Sequence, residues 1–183
     1  MTRIPRALLP DGIHHVYARG AARRAIFFDD MDRRRYLALL SRFSTRMSWS
    51  CLTYCLMTNH MHLLVETSTS NLSRGMHRLH GEYAQAFNRR HRQSGHVFER
   101  RFQAVPVGDD TQLWAVIRYI AKNPVDAGLC AAPETWPWSS HAAILNGSPP
   151  PWVDESRLLS YLGADGGDPR RRYAELVKGA RPL

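Results

Sequence analysis

The chain has 183 residues, enough for one domain with a real hydrophobic core and a small appendage. Its formal net charge is +9, and 23 of its 25 basic residues are arginine, whose planar fork of donors suits phosphate. A nucleic-acid partner and a GC-rich source of arginine codons explain that bias equally well. No apolar run is long enough to span a bilayer as a helix, and no charged segment followed by an apolar signal core opens the chain, so a cytoplasmic protein with no membrane partner is expected. Cys51, Cys55 and Cys130 are an odd number and read as reduced thiols.

Residues 1–12 are basic, broken by Pro5, Pro10 and Gly12, and read as an arm. Ile13 to Arg19 reads as a strand ending at Gly20, followed by a basic connection anchored by Ile26, Phe27 and Phe28. Asp29 and Asp30 can cap a helix in which Tyr36, Leu40, Phe43 and Met47 recur at helical spacing. Trp49 to Met57 and the segment after Asn59 read as an antiparallel hairpin turning at Thr58-Asn59. Its second strand carries His60 and His62, which period-two alternation places on one face, with Met61, Leu63 and Val65 on the other. Two imidazoles side by side on a strand make a metal half-site, although the bare pattern is more often a pair of partly exposed histidines that hold nothing. Cys51 and Cys55 fall on one face of the preceding strand, so a zinc site with the two histidines is conceivable.

Ser70 or Asn71 caps a long helix to about Arg90, with Leu72, Met76, Leu79, Tyr83 and Phe87 as its buried stripe. From Asn71 to Gln103 there are seven arginines against two glutamates, with Phe98 and Phe102 interleaved. That mixture suits a single nucleic-acid strand, charge tracking phosphate and rings stacking on bases, unless the two phenylalanines belong to the core. Ala104 to Val107 is a short strand, and Asp109 or Asp110 caps a helix burying Leu113, Val116, Ile117, Ile120 and Ala121. Tyr119 and Asn123 are four apart on that helix and share a face, and Pro124 is expected to stop it. A short helix follows Trp136-Pro137-Trp138, residues 147–151 read as a linker, and two amphipathic pieces, Glu155 to Leu162 and Pro169 to Lys178, close the chain.

Several motifs recur in a fixed order. They are Arg19-Gly20, Ile26 to Phe28 with its Asp pair, Cys55 to Leu64 around Asn59-His60-Met61-His62, and Tyr83 to Asn88. Gly95 to Phe102, Arg118-Tyr119-Ile120-Ala121-Lys122-Asn123-Pro124-Val125, Gly128 and Trp138-Ser139-Ser140 complete them. Over residues 13–145 this ordered set resembles the HUH single-tyrosine transposases, most of all the REP-associated tyrosine transposases. One departure is Thr58, where the family usually has proline; it alters a turn and no ligand.

The resemblance implies an α/β (α+β) fold, a ferredoxin-like HUH endonuclease domain whose central antiparallel sheet is flanked by helices. That domain would span residues 1–147, with a short helical C-terminal extension over 148–183. It implies Tyr119 as nucleophile and His60, His62 and Asn123 as ligands of Mg²⁺ or Mn²⁺. Arg89, Arg90, Arg92, Arg100, Arg101, Arg118 and Lys122 are candidate DNA contacts, and Glu66 is a candidate outer-shell partner or proton acceptor. The implied activity is a metal-dependent endonuclease and strand-transferase on single-stranded DNA beside hairpins or palindromic repeats. It would work through a 5′-phosphotyrosine link, as monomer or homodimer, in a bacterial cytoplasm associated with the nucleoid. The alternative is a hairpin-binding or regulatory protein that no longer uses the catalytic groups.

Overall fold

The computed structural model describes residues 11–68, 70–163 and 167–179, so most of the expected basic arm lies outside the described residues. The described residues form strands β1 (Gly12–Arg19), β2 (Trp49–Leu56), β3 (His60–Thr67) and β4 (Gln103–Pro106). The helices are α1 (Asp30–Met47), α2 (Leu72–His91), α3 (Asp110–Asp126), α4 (His141–Leu145), α5 (Glu155–Ser160) and α6 (Pro169–Lys178). Up to β4 the order is β-α-β-β-α-β, and the antiparallel sheet runs β2-β3-β1-β4. This is the expected ferredoxin-like arrangement, with the two middle positions taken by β3 and β1.

Alternation along the strands divides the sheet into two faces. One carries Val16, Ala18, Met61, Leu63 and Val65, all buried beneath α1 and α2. Those helices supply the expected stripes, Tyr36, Leu40, Phe43 and Met47 from α1 and Met76, Leu79, Tyr83 and Phe87 from α2. Asp29 caps α1 by accepting from the Asp32 N–H at 3.2 Å. Asn71 precedes α2 but does not cap it with its side chain; its amide accepts from Trp49 Nε1 at 2.7 Å and donates to the Met47 carbonyl at 2.9 Å. The residue expected as a cap instead ties the α1–β2 junction to the start of α2.

The other face carries His15, Tyr17, His60, His62 and Leu64, partly covered by α3. Pro124 does not stop α3, which runs on to Asp126. Proline deletes one N–H, but the next turn closes without it: Ala127 N–H donates to the Asn123 carbonyl at 3.0 Å and Leu129 N–H to that of Pro124 at 2.9 Å. Asn123 is therefore held inside a helix and is buried.

A bulge at Cys51–Thr53 shifts the β2–β3 register, so Cys51 pairs with Val65 while Cys55 pairs with His62. The two cysteines consequently lie on opposite faces, contrary to the expectation from simple alternation. The outer edge of β2 is closed by the later chain, which bonds Leu56 N–H to the Trp138 carbonyl and Asp154 N–H to that of Cys51, both at 2.8 Å. Beyond residue 147, Val153, Leu158, Leu162, Tyr173, Leu176 and Val177 are buried in the same core.

Candidate active site

Strands β1 and β3 and helix α3 meet over a cleft of about 580 Å³ lined by His15, Tyr17, Arg19, His60, His62 and Tyr119, with Arg100 and Arg101 on its rim. The His60 and His62 rings are 5.0 Å apart and nearly perpendicular, as expected of neighbours two residues apart on one strand face. Tyr119 comes from α3, and its ring sits edge-on to His62 with centroids 5.2 Å apart. The residue is 46% exposed. One turn further along α3, Asn123 Oδ1 lies 3.0 Å from His60 Nε2.

Burial sets the charge state of the histidines. Desolvation lowers His60, with the amide contact of Asn123 working against it and the Arg19 guanidinium adding to it. His62 is pushed well below the usual histidine range, first by burial and then by His15, His60 and Arg19 around it. Both rings are thus held neutral, the form that binds a metal. The donor set also fits an ion. His62 Nε2 is buried without a hydrogen-bond partner among the described residues, and His60 Nε2 converges on an amide oxygen. No carboxylate or thiolate joins them, and among the described residues no three His, Cys, Asp or Glu side chains group as metal ligands. This removes the zinc site through Cys51 and Cys55, whose thiols are buried, on opposite faces, with Cys51 pushed up to about 12. Two imidazoles and an amide oxygen suit a hard divalent ion that takes its remaining ligands from phosphate and water.

A family model described as "Transposase IS200 like" matches residues 11–123, which include both histidines, the tyrosine and the asparagine. The chain belongs to the IS200-like transposases. Among solved structures, the fold of this transposase is similar to that of a REP-associated tyrosine transposase bound to a REP hairpin. The TM-score is 0.68 at 16% identity, covering 82% of this chain and 89% of that one. A candidate transposase from Deinococcus radiodurans R1 aligns with a TM-score of 0.45 at 13% identity, over 72% of this chain and 100% of that one. No curated protein matches.

The transposase does not bring all the expected site residues to the cleft. Arg89, Arg90 and Arg92 stand at the C-terminal end of α2, and none of them lines it. Arg90 is committed to α1, donating to Asp29 at 2.6 and 2.8 Å and to the buried Asp32 at 2.6 Å. Arg118 and Lys122 flank Tyr119 on α3 outside the cleft lining. Glu66 is not beside the histidines; both carboxylate oxygens accept from Arg157 at 2.8 Å, which draws it toward the C-terminal segment. The two phenylalanines are packing groups rather than stacking platforms, Phe102 buried and Phe98 stacked on His80 at 4.2 Å. Sequence reasoning missed His15, whose Nε2 lies 3.0 Å from His62 Nδ1 and whose pKa burial lowers to about 4. Its signal was the His15-x-Tyr17 alternation on β1, which mirrors His60-x-His62 on β3. No helix among the described residues is long and apolar enough to cross a membrane.

Proposed function

We propose that this transposase is a metal-dependent endonuclease and strand-transferase of single-stranded DNA that forms a covalent 5′-phosphotyrosine through Tyr119. The observation that carries the reading is the convergence of a phenol and a carboxamide from α3 with two neutral imidazoles from β3. Tyr119 Oη attacks the scissile phosphorus; a bond forms from phosphorus to the phenolic oxygen, the bond to the 3′ oxygen breaks, and a 3′ hydroxyl leaves. The link keeps the energy of the phosphodiester, so a second 3′ hydroxyl can reverse the step and join a new strand. A phenol's pKa is ordinarily near 10, so attack at neutral pH needs its proton drawn off and the phosphate charge offset. His60, His62 and Asn123 would hold Mg²⁺ or Mn²⁺, which supplies polarisation of a phosphoryl oxygen. Arg19, Arg100 and Arg101 stand around the cleft and attract the DNA backbone.

The solved relative was bound to a REP hairpin, which supports a hairpin-flanked single strand as this chain's substrate. The test is incubation with single-stranded oligonucleotides bearing hairpins, including palindromes that flank its own gene, with Mn²⁺ or Mg²⁺. A denaturant-resistant protein–DNA adduct is expected, lost with Tyr119→Phe and with chelator. An adduct that survives Tyr119→Phe overturns the nucleophile. Tight hairpin binding without cleavage by the wild type, unaffected by His60→Ala with His62→Ala, would point to a binding protein instead.

A further inference from the structure

We infer that Asn59 and His15 lock His60 and His62 into the same neutral tautomer, with the proton on Nδ1 and the Nε2 lone pair free. The inference rests on the reading of these two rings as metal ligands and concerns residues that hold the ligands rather than touch the ion.

The Asn59 amide has a settled orientation. Its Nδ2 donates to the Arg23 carbonyl at 2.9 Å, which turns Oδ1 toward His60 Nδ1 at 2.7 Å. A carboxamide oxygen only accepts, so the proton of that bond belongs to Nδ1 and the neutral ring has a bare Nε2. Asn123 Oδ1 stands 3.0 Å from Nε2, and a neutral ring can donate to only one of the two amide oxygens. Asn59 is fixed by Arg23, whereas Asn123 makes no other side-chain hydrogen bond among the described residues, so in the metal-free protein Asn123 is the amide that turns its Nδ2 toward the bare Nε2. The Arg23 carbonyl is itself fixed by a tight turn. At Gly20 a Cβ would come within 2.0 Å of the Arg24 carbonyl oxygen and 2.8 Å of Ile26, so the backbone there is packed against itself. Gly20 N–H also donates to the Asn59 carbonyl at 2.8 Å.

At His62 one proton lies between two nitrogens, His15 Nε2 and His62 Nδ1, 3.0 Å apart. If His15 donated, His62 would keep its proton on Nε2, a buried N–H with no acceptor. If His62 donates, its Nε2 keeps a bare lone pair, the one arrangement a cation can use. His15 stands on β1 directly across from Leu64, diagonal to His62, with the two rings stacked 5.1 Å apart. It is half-buried on the sheet and cannot swing away without leaving that stack. Partners of this kind orient a ligating histidine and commonly change metal affinity about 10- to 100-fold when removed.

The test reads tautomers directly, in ¹⁵N-labelled, chelator-treated wild-type protein, from histidine ring nitrogen shifts in long-range ¹H–¹⁵N correlation spectra. Protonated Nδ1 and bare Nε2 are expected for both His60 and His62. His15→Phe keeps a ring in the stack but removes the acceptor. It should release His62 to the other tautomer and weaken Mn²⁺ binding, followed by electron paramagnetic resonance titration, by about tenfold or more. His15→Gln offers an amide oxygen in its place and should recover most of the affinity; Asn59→Ala should release His60 in the same way. A proton on Nε2 of His62 in the wild type overturns the inference even if no variant folds. So does a His15→Phe protein whose His62 tautomer and Mn²⁺ affinity are unchanged. A wild type with both tautomers as described that binds no Mn²⁺ supports the lock and overturns the metal reading alone.

Discussion

Two faces of one sheet do different work here. Under α1 and α2, β1 and β3 present Val16, Met61, Leu63 and Val65, none of them measurably exposed, and the helices close over them. One residue along, the same strands present His15, Tyr17, His60 and His62 to a cleft that α3 covers only in part. The apolar face gives the strands their rigidity, and the polar face borrows it to hold imidazoles at fixed spacing. Stability and chemistry are thus separated by a single step along the backbone, and substitutions on the two faces should separate them too.

The largest expected effect is on the open face. Tyr119→Phe should abolish the covalent adduct, yet move unfolding free energy by no more than about 0.5 kcal/mol, because the side chain is half-exposed. Parallel adduct gels and urea melts check both halves; a large loss of stability would mean that Tyr119 belongs to the core. The mirror experiment is Leu63→Ala on the closed face. It should cost about 2–5 kcal/mol in urea unfolding by leaving a cavity under the helices. Adduct formation per folded molecule should stay near wild type.

A third prediction follows the closed side to low pH. His80 is buried, bonded through Nε2 to the Tyr36 hydroxyl at 3.0 Å, and burial lowers its pKa to about 3. As pH falls below the ordinary value of 6.5, the unfolded chain takes up this proton and the folded one does not. The contribution of His80 is therefore complete above pH 6.5 and is lost progressively toward pH 3, by at most about 1.4 kcal/mol per pH unit. Urea melts at pH 7 and pH 5 should show a shallower loss for His80→Gln than for wild type; equal slopes would mean that His80 is already charged in the fold. The smallest effect is expected at Arg157, half-exposed in its pair with Glu66. Arg157→Ala should cost less than about 1 kcal/mol, with less difference still in high salt, and should leave adduct formation unchanged. A marked loss of cleavage would return Glu66 to the active site.

Much of this was legible in the chain itself. His60 and His62 share a face because a strand alternates, and Tyr119 and Asn123 share one because a helix repeats, so each pair could be read from its spacing. Other features needed partners that no local pattern names. Cys51 and Cys55 parted company at a bulge that depends on pairing with β3. Arg90 looked like a free cation until α1 brought Asp29 and Asp32 to it. Glu66 met Arg157, 91 residues away, in a segment without a recognisable motif.

By itself the sequence determined which elements form, the faces of His60, His62, Tyr119 and Asn123, and the family, since these rest on steric periodicity within a few residues and on motifs in order. Only the tertiary structure decided that β1 lies beside β3, and therefore that His15 reaches His62. It also decided that α3 crosses the sheet where Asn123 meets His60. Those contacts join residues dozens of positions apart, and their distances follow from how the core packs, a property of the whole chain rather than of any stretch of it.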